Sequence, residues 1–512
     1  MHQLSQPSVT GADQTAGVDG AGVTGTTAPG VSERLPGVEP TAVPPAPPSA
    51  SLGHAFARVR CVDLDDGLIR TDVLIEQVLQ LLKRRPHLLL LLPLWVWRGR
   101  AAFQHEIAKR QPVDPTALPY DPARLEQLAR LKSDGPPLSA VTALDPVWAE
   151  PIARHLGLDG PLITGSATVW LADTARQARL DATFGNTGYQ WVDPATGAAE
   201  AGRSLSLPVR LRPYLKALRP HQWLKNALVF VPIVLAIKTV SALALVHGLI
   251  AFVAFSLTAS SVYLLNDLTD LADDRRHPTK HRRPLASGLV PLHHGLALVP
   301  ILLGLAVGLS LITLPPFFTV VLLVYYAATL AYSFGLKRTM LFDVITLAGL
   351  YTLRIIAGSA AVAIPRSFWL LAFSVFLFFS LALVKRYVEI KDIVDAATGH
   401  GDGKPAINGK LAGRGYRAVD LETLSQFGIS SGLMAVLVLA LYIDSGVVKS
   451  LYRTPELIWL LCPLMLYLIC RFWILARRGE MHDDPIVFAV RDWRSQMIVL
   501  AGGLLLLVAA FV

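Results

Sequence analysis

The sequence predicts an all-α polytopic membrane bundle of about nine transmembrane helices, preceded by a soluble α/β domain. Three observations carry this. First, the 512 residues are 53% hydrophobic with mean hydropathy +0.46, above a soluble average, and the excess sits almost wholly after residue 225. Second, nine apolar segments follow, near 225–237, 242–265, 292–312, 317–332, 342–363, 368–384, 429–443, 456–475 and 497–512. Several fall short of the ~20 residues a straight span needs, so tilted or irregular ends are expected. Third, with the N-terminus inside, the inner connections hold roughly 25 Lys and Arg against about 4 outside. That asymmetry puts the connections after 265, 332, 384 and 475 on the cytoplasmic face of the inner (cell) membrane, together with the α/β domain.

Residues 1–53 are Gly, Ala, Thr, Pro, Val and Ser with few large apolar side chains. Such a stretch cannot bury enough surface to offset chain entropy, so a disordered tail is expected; it has no secretory signal pattern. Three cysteines, Cys61, Cys462 and Cys470, make no disulfide or zinc framework. The net charge of +9 comes from bases clustered between apolar segments, not on an aromatic-studded face. These are topology signals and phosphate ligands, and no nucleic-acid partner is implied.

The α/β domain is expected over 54–200. ARVRCVDLDDGLIRTD reads as a strand, Val59–Leu64, ending in two aspartates and a turn; PLSAVTALD is a second strand, and 72–132 between them reads as a small helical cap. LLLLLPLWVWRGR at 88–100 is too short to span and is interrupted by Pro93; it either lies along the membrane surface or packs in the cap. The DLDDG turn resembles the first motif of the haloacid-dehalogenase-like hydrolases. The resemblance gives Asp63 and Asp65 the positions of nucleophile and proton-handling acid, and Thr142 that of a phosphate-binding hydroxyl. The later motifs depart from the family: Arg176 and Gln177 stand where a lysine should, and the closing acid pair is reduced to Asp193. The resemblance therefore implies an inherited domain kept as a folded appendage, with an active phosphatase as the alternative. A linker and pre-helix follow over 201–224.

The transmembrane domain is expected over 225–512, and its organising stretch is Ser260–Gly288, SSVYLLNDLTDLADDRRHPTKHRRPLASG. If the preceding helix continues, Asp267, Asp270 and Asp274 fall at i, i+3 and i+7 on one face. Three carboxylates on one stripe repel, so a cation should sit among them. Mg²⁺ fits, a hard ion that completes its shell with water and substrate phosphate oxygens. His277, Lys280 and Arg283 follow within one short loop and are placed to take the outer phosphate oxygens.

The pattern NDxxDxxxD running on into HPTKxxRPxASG resembles the first aspartate-rich motif of the UbiA superfamily of intramembrane prenyltransferases. RPHQWLKN at 219–226, SFGLK at 333–337 and KRYVE at 385–389 are similar to the branch that makes decaprenyl-phosphate phosphoribose. The resemblance runs from near Arg212 to the end. It implies that Asn266 and the three aspartates bind Mg²⁺ and diphosphate, and that Lys225 and Asn226 at the start of the first helix reach into the site. Lys225 could equally snorkel to the interface.

The second constellation is KRYVEIKDIVD. Lys385, Glu389 and Asp392 would share a helical face, with Glu389 binding a second metal or orienting Lys385, and Tyr387 beside them at the acceptor. The plain alternative is a surface salt bridge. The glycine-rich continuation after Thr398 is not a P-loop and reads as a lid or a linker. Arg354, inside an apolar segment, is too costly to face lipid and should meet phosphate or an acid. Asp483, Asp484, Arg491 and Asp492 read as a solvated charged loop.

The chemistry this implies is transfer from a donor whose diphosphate departs. The leading reading makes phosphoribosyl pyrophosphate the donor and polyprenyl phosphate the acceptor. The alternative makes a polyprenyl diphosphate the donor and an aromatic molecule such as hydroxybenzoate the acceptor. A transporter fits less well, because the charges gather at one face with no repeated hydropathy pattern.

Overall fold

A computed structural model describes residues 59–511 apart from 66, 67, 134, 172, 186, 187, 193–206, 239, 399–414, 482 and 483. The tail expected over 1–53, Asp66-Gly67, Asp193, Asp483 and the glycine-rich stretch lie outside the described residues. Contacts divide the chain into Met1–Ala55 and Phe56–Val512, and everything that follows concerns the second unit.

Strand β1 (Val59–Asp63) is valine-rich and carries Cys61 and Val62 fully buried, the composition of a strand covered on both faces. It ends in a turn closed by the Asp65 N–H donating to Asp63 Oδ1 at 2.8 Å. Four helices follow: α1 (Val73–Arg84), α2 (Leu92–Trp97), α3 (Arg100–Ala108) and α4 (Pro122–Ser133). Helix α1 has Asp72 as its N-cap, accepting from the Ile75 N–H, an acid in its first turn and Lys83 and Arg84 in its last, which complements the helix dipole. Strand β2 (Leu138–Val141), helices α5 (Pro146–His155) and α6 (Asp173–Phe184), and strand β3 (Tyr189–Trp191) complete a parallel sheet of order β2-β1-β3. Asp63 pairs with Val141 and Val59 with Tyr189 in register. The core is tied by the fully buried Trp148, whose Nε1 donates to the Gln111 carbonyl at 2.8 Å. The region therefore holds a three-stranded parallel sheet with helices between its strands. Three short strands do not by themselves establish a haloacid-dehalogenase-like fold.

The 88–100 stretch divides its roles. Trp95 is buried beneath the Arg110 guanidinium, while Leu90 and Trp97 are 84% and 85% exposed, so one side packs in the cap and the other projects outward.

Helix α7 (Leu207–Ala217) takes over the second half of the expected linker. After it comes a 3-10 segment, Pro220–Phe230, and the short α8 (Val231–Leu235). Next are α9 (Ala242–Thr269), α10 (Leu271–Arg276), α11 (Leu292–Thr313), α12 (Pro316–Phe334), α13 (Phe342–Ala361) and α14 (Phe368–Thr398). The chain ends with α15 (Leu421–Asp444), α16 (Gly446–Leu451), α17 (Leu461–Arg478), α18 (Pro485–Arg491) and α19 (Trp493–Phe511).

Among the described residues eight helices are long and apolar enough to cross a membrane, not nine. The first expected segment, 225–237, is replaced by the 3-10 run and α8. Pro220 and Pro232 open these two pieces, and neither can donate to a continuous α-helical ladder. A 3-10 helix is longer per residue, so Pro220–Leu235 still reaches roughly 30 Å from rises of ~2.0 and ~1.5 Å per residue. Its two ends bear this out: Arg219 meets Asp267 at the C-terminal end of α9, while the Leu235 carbonyl accepts from Tyr452 Oη at 2.8 Å, beyond the far end of α15.

In the bundle α9 packs on α11, and α14 on both α13 and α15. Small residues make the close approaches. A Cβ at Gly358 of α13 would overlap the Val229 carbonyl oxygen, so only glycine lets the 3-10 segment lie against α13 at this point.

Candidate active site

The C-terminal end of α9 is fixed before its acids are reached. Ser260 accepts from Trp223 Nε1 at 2.9 Å and donates to the Leu218 carbonyl at 2.8 Å, which pins α9 to the start of the 3-10 segment. Arg219, between these two anchors, is held in the left-handed region (φ 54°, ψ 58°) directly before Pro220. That conformation costs a non-glycine residue about 1–3 kcal/mol and is kept only where the surroundings impose it. Here it delivers the guanidinium to Asp267 Oδ1 and over the Tyr263 ring at 5.3 Å.

Asp267 is buried, and its Oδ1 also lies 3.0 Å from Arg283 Nη1. The same nitrogen pairs with Asp274 Oδ2. Two of the three expected metal ligands, Asp267 and Asp274, thus converge on one cationic atom. Asp270 does not join them. It is the C-cap of α9, where the helix breaks (φ −106°, ψ 14°) before α10 begins, and its side chain turns to Lys83 Nζ of α1 at 2.6 Å. The expectation of three acids on one helical face is corrected accordingly. Among the described residues no group of three or more His, Cys, Asp or Glu stands close enough to hold a metal ion. Asp267 and Asp274 present two carboxylate oxygens to one cation position, which Arg283 Nη1 occupies; hard oxygen donors of this kind are what a small divalent ion would use.

Arg283, expected on phosphate, therefore bridges acids instead. His277 and Lys280 line an open cavity of about 900 Å³ with Asp270, Asp273, Asp274, Lys337, Arg338, Glu389 and Asp392. Three connections expected on one face of the membrane, after 265, 332 and 384, do meet around this cavity. Asn266 contributes its carbonyl, which accepts from the Asp270 N–H at 2.9 Å.

Behind the acids lies a second, cationic cluster on the other side of the 3-10 segment. Lys225 Nζ and Lys385 Nζ lie 2.8 and 3.0 Å from the same oxygen, Asp484 Oδ2. Burial pushes the Asp484 carboxyl up, but Lys385 and Lys225 together hold it well below the usual carboxylate range. The solvated loop expected for Asp484 and Asp492 is corrected: Asp484 is nearly buried, and Asp492 forms a two-pronged pair with Arg471 at 2.6 and 3.0 Å. Arg354, buried in α13, donates to Asn226 Oδ1 (2.9 Å), the Leu350 carbonyl (2.6 Å) and Tyr325 Oη (2.9 Å), and stacks near Tyr325 and Tyr351. Neither the acid nor the ion pair expected for it is among these partners; neutral groups hold the charge.

Two residues of the KRYVE stretch turn elsewhere. Tyr387 is ~200° around the helix from Lys385 at ~100° per residue, and it packs edge-on to Trp473 in the core, 5.9 Å between centroids, not at the acceptor side. Glu389 pairs with Arg386 and lines the cavity. Arg386 is fully buried and also meets the fully buried Asp343 at 2.6 Å.

In the α/β unit Asp63, Asp65 and Thr142 do come together. Asp65 accepts from Thr142 Oγ1 and from the Ala143 N–H, each at 2.6 Å, beyond the carboxyl ends of β1 and β2. Arg176 reaches both Asp63 and Asp65, at 3.2 Å for the latter.

Asp343 and Lys83 have no role in the sequence reading, and Arg219 and Arg386 appear in it only as members of the RPHQWLKN and KRYVE motifs. Asp343 had left a signal, an acid at the start of an apolar segment; its partner, Arg386, lies on the next helix. Lys83 had left none, because it belongs to another domain.

The chain is similar in sequence to several known proteins. A model of the UbiA prenyltransferase family matches residues 227–493. The uncharacterized protein y4nM of Sinorhizobium fredii is 34% identical over 467 residues, covering 85% of this chain and 88% of that protein, so the likeness extends into the α/β unit. Nodulation protein NoeC of Azorhizobium caulinodans is 35% identical over 290 residues, 56% of this chain and 90% of its own. Decaprenyl-phosphate phosphoribosyltransferase of Mycobacterium tuberculosis is 40% identical over 184 residues, 34% of this chain and 59% of that enzyme, less than two thirds of its length. Among solved structures, a UbiA homolog from Archaeoglobus fulgidus bound to GPP and Mg²⁺ aligns over 59% of this chain and all of its own, at 16% identity and TM-score 0.44.

Proposed function

The chain belongs to the UbiA prenyltransferase family, and from that premise we propose that it transfers phosphoribose from phosphoribosyl pyrophosphate to a polyprenyl phosphate. The observation that carries this reading is the charge of the inner cluster. Lys225 and Lys385 share one carboxylate, Asp484, while Arg354, which lies with Lys225 over the Tyr351 ring, is held by neutral groups alone, so the positive charge among these helices exceeds the negative. Such an excess is costly without an anion, and an acceptor that is itself a phosphate supplies one. The 37–40% identity to several decaprenyl-phosphate phosphoribosyltransferases supports the same choice.

The division of labour follows. Asp267 and Asp274 would hold Mg²⁺, which when bound supplies positive charge to a departing diphosphate. Lys280 and His277 bind the outer phosphate oxygens at the open, cytoplasmic mouth. Arg354, Lys225 and Lys385 orient the acceptor phosphate, Asn226 fixes Arg354 in place, and the lipid tail lies between helices. Holding donor and acceptor together in a site that excludes water favours transfer over hydrolysis.

For the α/β unit we infer a folded appendage without phosphatase chemistry, supported by Arg176, whose guanidinium ties up both aspartates.

The deciding experiment gives the purified protein labelled phosphoribosyl pyrophosphate, polyprenyl phosphate and Mg²⁺, and separately polyprenyl diphosphate with hydroxybenzoate. A lipid-soluble product from the first pair, lost in chelator and in Asp267→Asn, is expected. Product from the second pair alone overturns the proposal in favour of prenyl transfer to an aromatic acceptor.

A further inference from the structure

We propose, resting on the diphosphate reading of the open cavity, that Lys83 of the α/β unit is a ligand of the donor diphosphate, so that the unit completes a pocket the helical bundle leaves open on one side. Its Nζ lies 2.6 Å from Asp270 Oδ1 and 3.2 Å from Asp273 Oδ2, and it lines the cavity together with Lys280, Lys337 and Arg338. Burial pushes the ammonium pKa down, but the two aspartates more than offset this, so it enters the pocket charged.

Lys83 is placed there by contacts in which it takes no part. Arg275 of α10 inserts into the α/β unit, where its Nη1 donates to both Glu76 oxygens at 2.7 and 2.9 Å and to the Ala117 carbonyl at 3.2 Å, while its Nε holds the Ala286 carbonyl at 2.9 Å. Both side chains of the Arg275–Glu76 pair are almost fully buried, 7% and 2% exposed. Arg276 adds a second, exposed pair with Asp114. Glu76 and Lys83 are seven residues apart on α1, two turns and the same face, so locking the first aims the second into the cavity.

The energetics separate the two roles. Removing one partner of a buried, multiply bonded arginine–glutamate pair is strongly destabilising, whereas part-exposed pairs such as Lys83 with Asp270 and Asp273 contribute little to stability. Docking therefore does not require Lys83. What the position offers is a part-exposed cation in the lining of a cavity large enough for a diphosphate, held by two carboxylates that it can exchange for the oxygens of an entering diphosphate.

The test uses the full chain in detergent and follows binding of inorganic pyrophosphate with Mg²⁺ by calorimetry, alongside KM for the phosphoribosyl donor. Lys83→Ala is expected to weaken pyrophosphate binding and raise KM about tenfold, with kcat and thermal stability little changed, and Lys83→Arg to recover most of the loss. Arg276→Ala, which removes an interface pair away from the cavity, should leave binding unchanged. Wild-type binding by Lys83→Ala overturns the inference while leaving the diphosphate reading intact; so does a loss matched by Arg276→Ala, which would mark Lys83 as a docking residue. If the wild-type chain itself does not bind pyrophosphate, or Asp267→Asn binds it equally well, the diphosphate reading and this inference fall together.

Discussion

Lys385 Nζ stands 3.0 Å from Asp484 Oδ2, although 99 positions separate the two residues, and Lys225 shares the same oxygen from the other side at 2.8 Å. One carboxylate thereby fixes two lysines from the 3-10 segment and from α14. Removing it strands both cations.

Asp484→Asn is therefore expected to lower the thermal stability of the detergent-solubilised protein at pH 7. The pH dependence has a definite sign. The native carboxyl titrates below its ordinary value of 3.8, so the stability it contributes is fully present above pH ~4 and is lost only as pH falls further, toward the native pKa. Melting curves from pH 7 to 3 should show a constant gap between wild type and variant down to about pH 4 and a narrowing gap below it. A gap that closes by pH 6 would contradict the assignment.

Arg354 is held by Asn226, Tyr325 and a carbonyl, all neutral. Its charge is therefore available to an anion. Arg354→Gln should lower kcat/KM by about 10²-fold, the usual scale for loss of one preorganised donor, while the protein stays folded. Arg354→Lys should not restore activity, because a lysine cannot span Asn226 and Tyr325 at once. Steady-state kinetics on the two variants, with circular dichroism as the folding control, check both statements.

Gly358 sits one helical turn from Arg354 and lies against Val229, three residues after Asn226. A methyl group there would overlap the Val229 carbonyl, so Gly358→Ala must push the 3-10 segment off α13. Overpacking of this kind costs about 1–3 kcal/mol. The Arg354–Asn226 bond should loosen with it, and the melting temperature and kcat/KM are expected to fall together. Loss of stability with unchanged kinetics would show that Asn226 does not position Arg354.

The acid-rich stretch, the apolar segments and the charged connections between them were legible in the sequence because each is a local pattern: a run of acids, the length of an apolar run, charge between runs. What the sequence did not disclose depends on partners far along the chain. Asp484 read as a solvated loop because its neighbours are charged, yet its environment is set by Lys225 and Lys385. Asp270 fell on the helical stripe with Asp267 and Asp274 until α9 ended beneath it. The first crossing was counted as a helix because its composition is apolar, while Pro220 and Pro232 divide it into a 3-10 run and a single short turn of α-helix.

Asp343, Arg386 and Glu389 allow a structural role to be told from a chemical one within a single cluster. Asp343 and Arg386 are both fully buried and meet at 2.6 Å, so Asp343→Asn leaves an arginine without its buried counter-charge. That should cost about 3–5 kcal/mol and give a poorly folded or low-yield protein. Glu389 pairs with the same arginine from the cavity side, with its side chain 32% exposed, and its contribution to stability should stay within ~1 kcal/mol. Glu389→Gln is therefore expected to melt like the wild type. Because Glu389 faces the cavity that holds Asp270 and Asp274, any change it causes should be in the Mg²⁺ dependence of turnover, with half-saturation moving to higher Mg²⁺. A Glu389→Gln protein with an unaltered Mg²⁺ titration would reduce the residue to a salt-bridge partner of Arg386, and one that unfolds like Asp343→Asn would move it into the buried network.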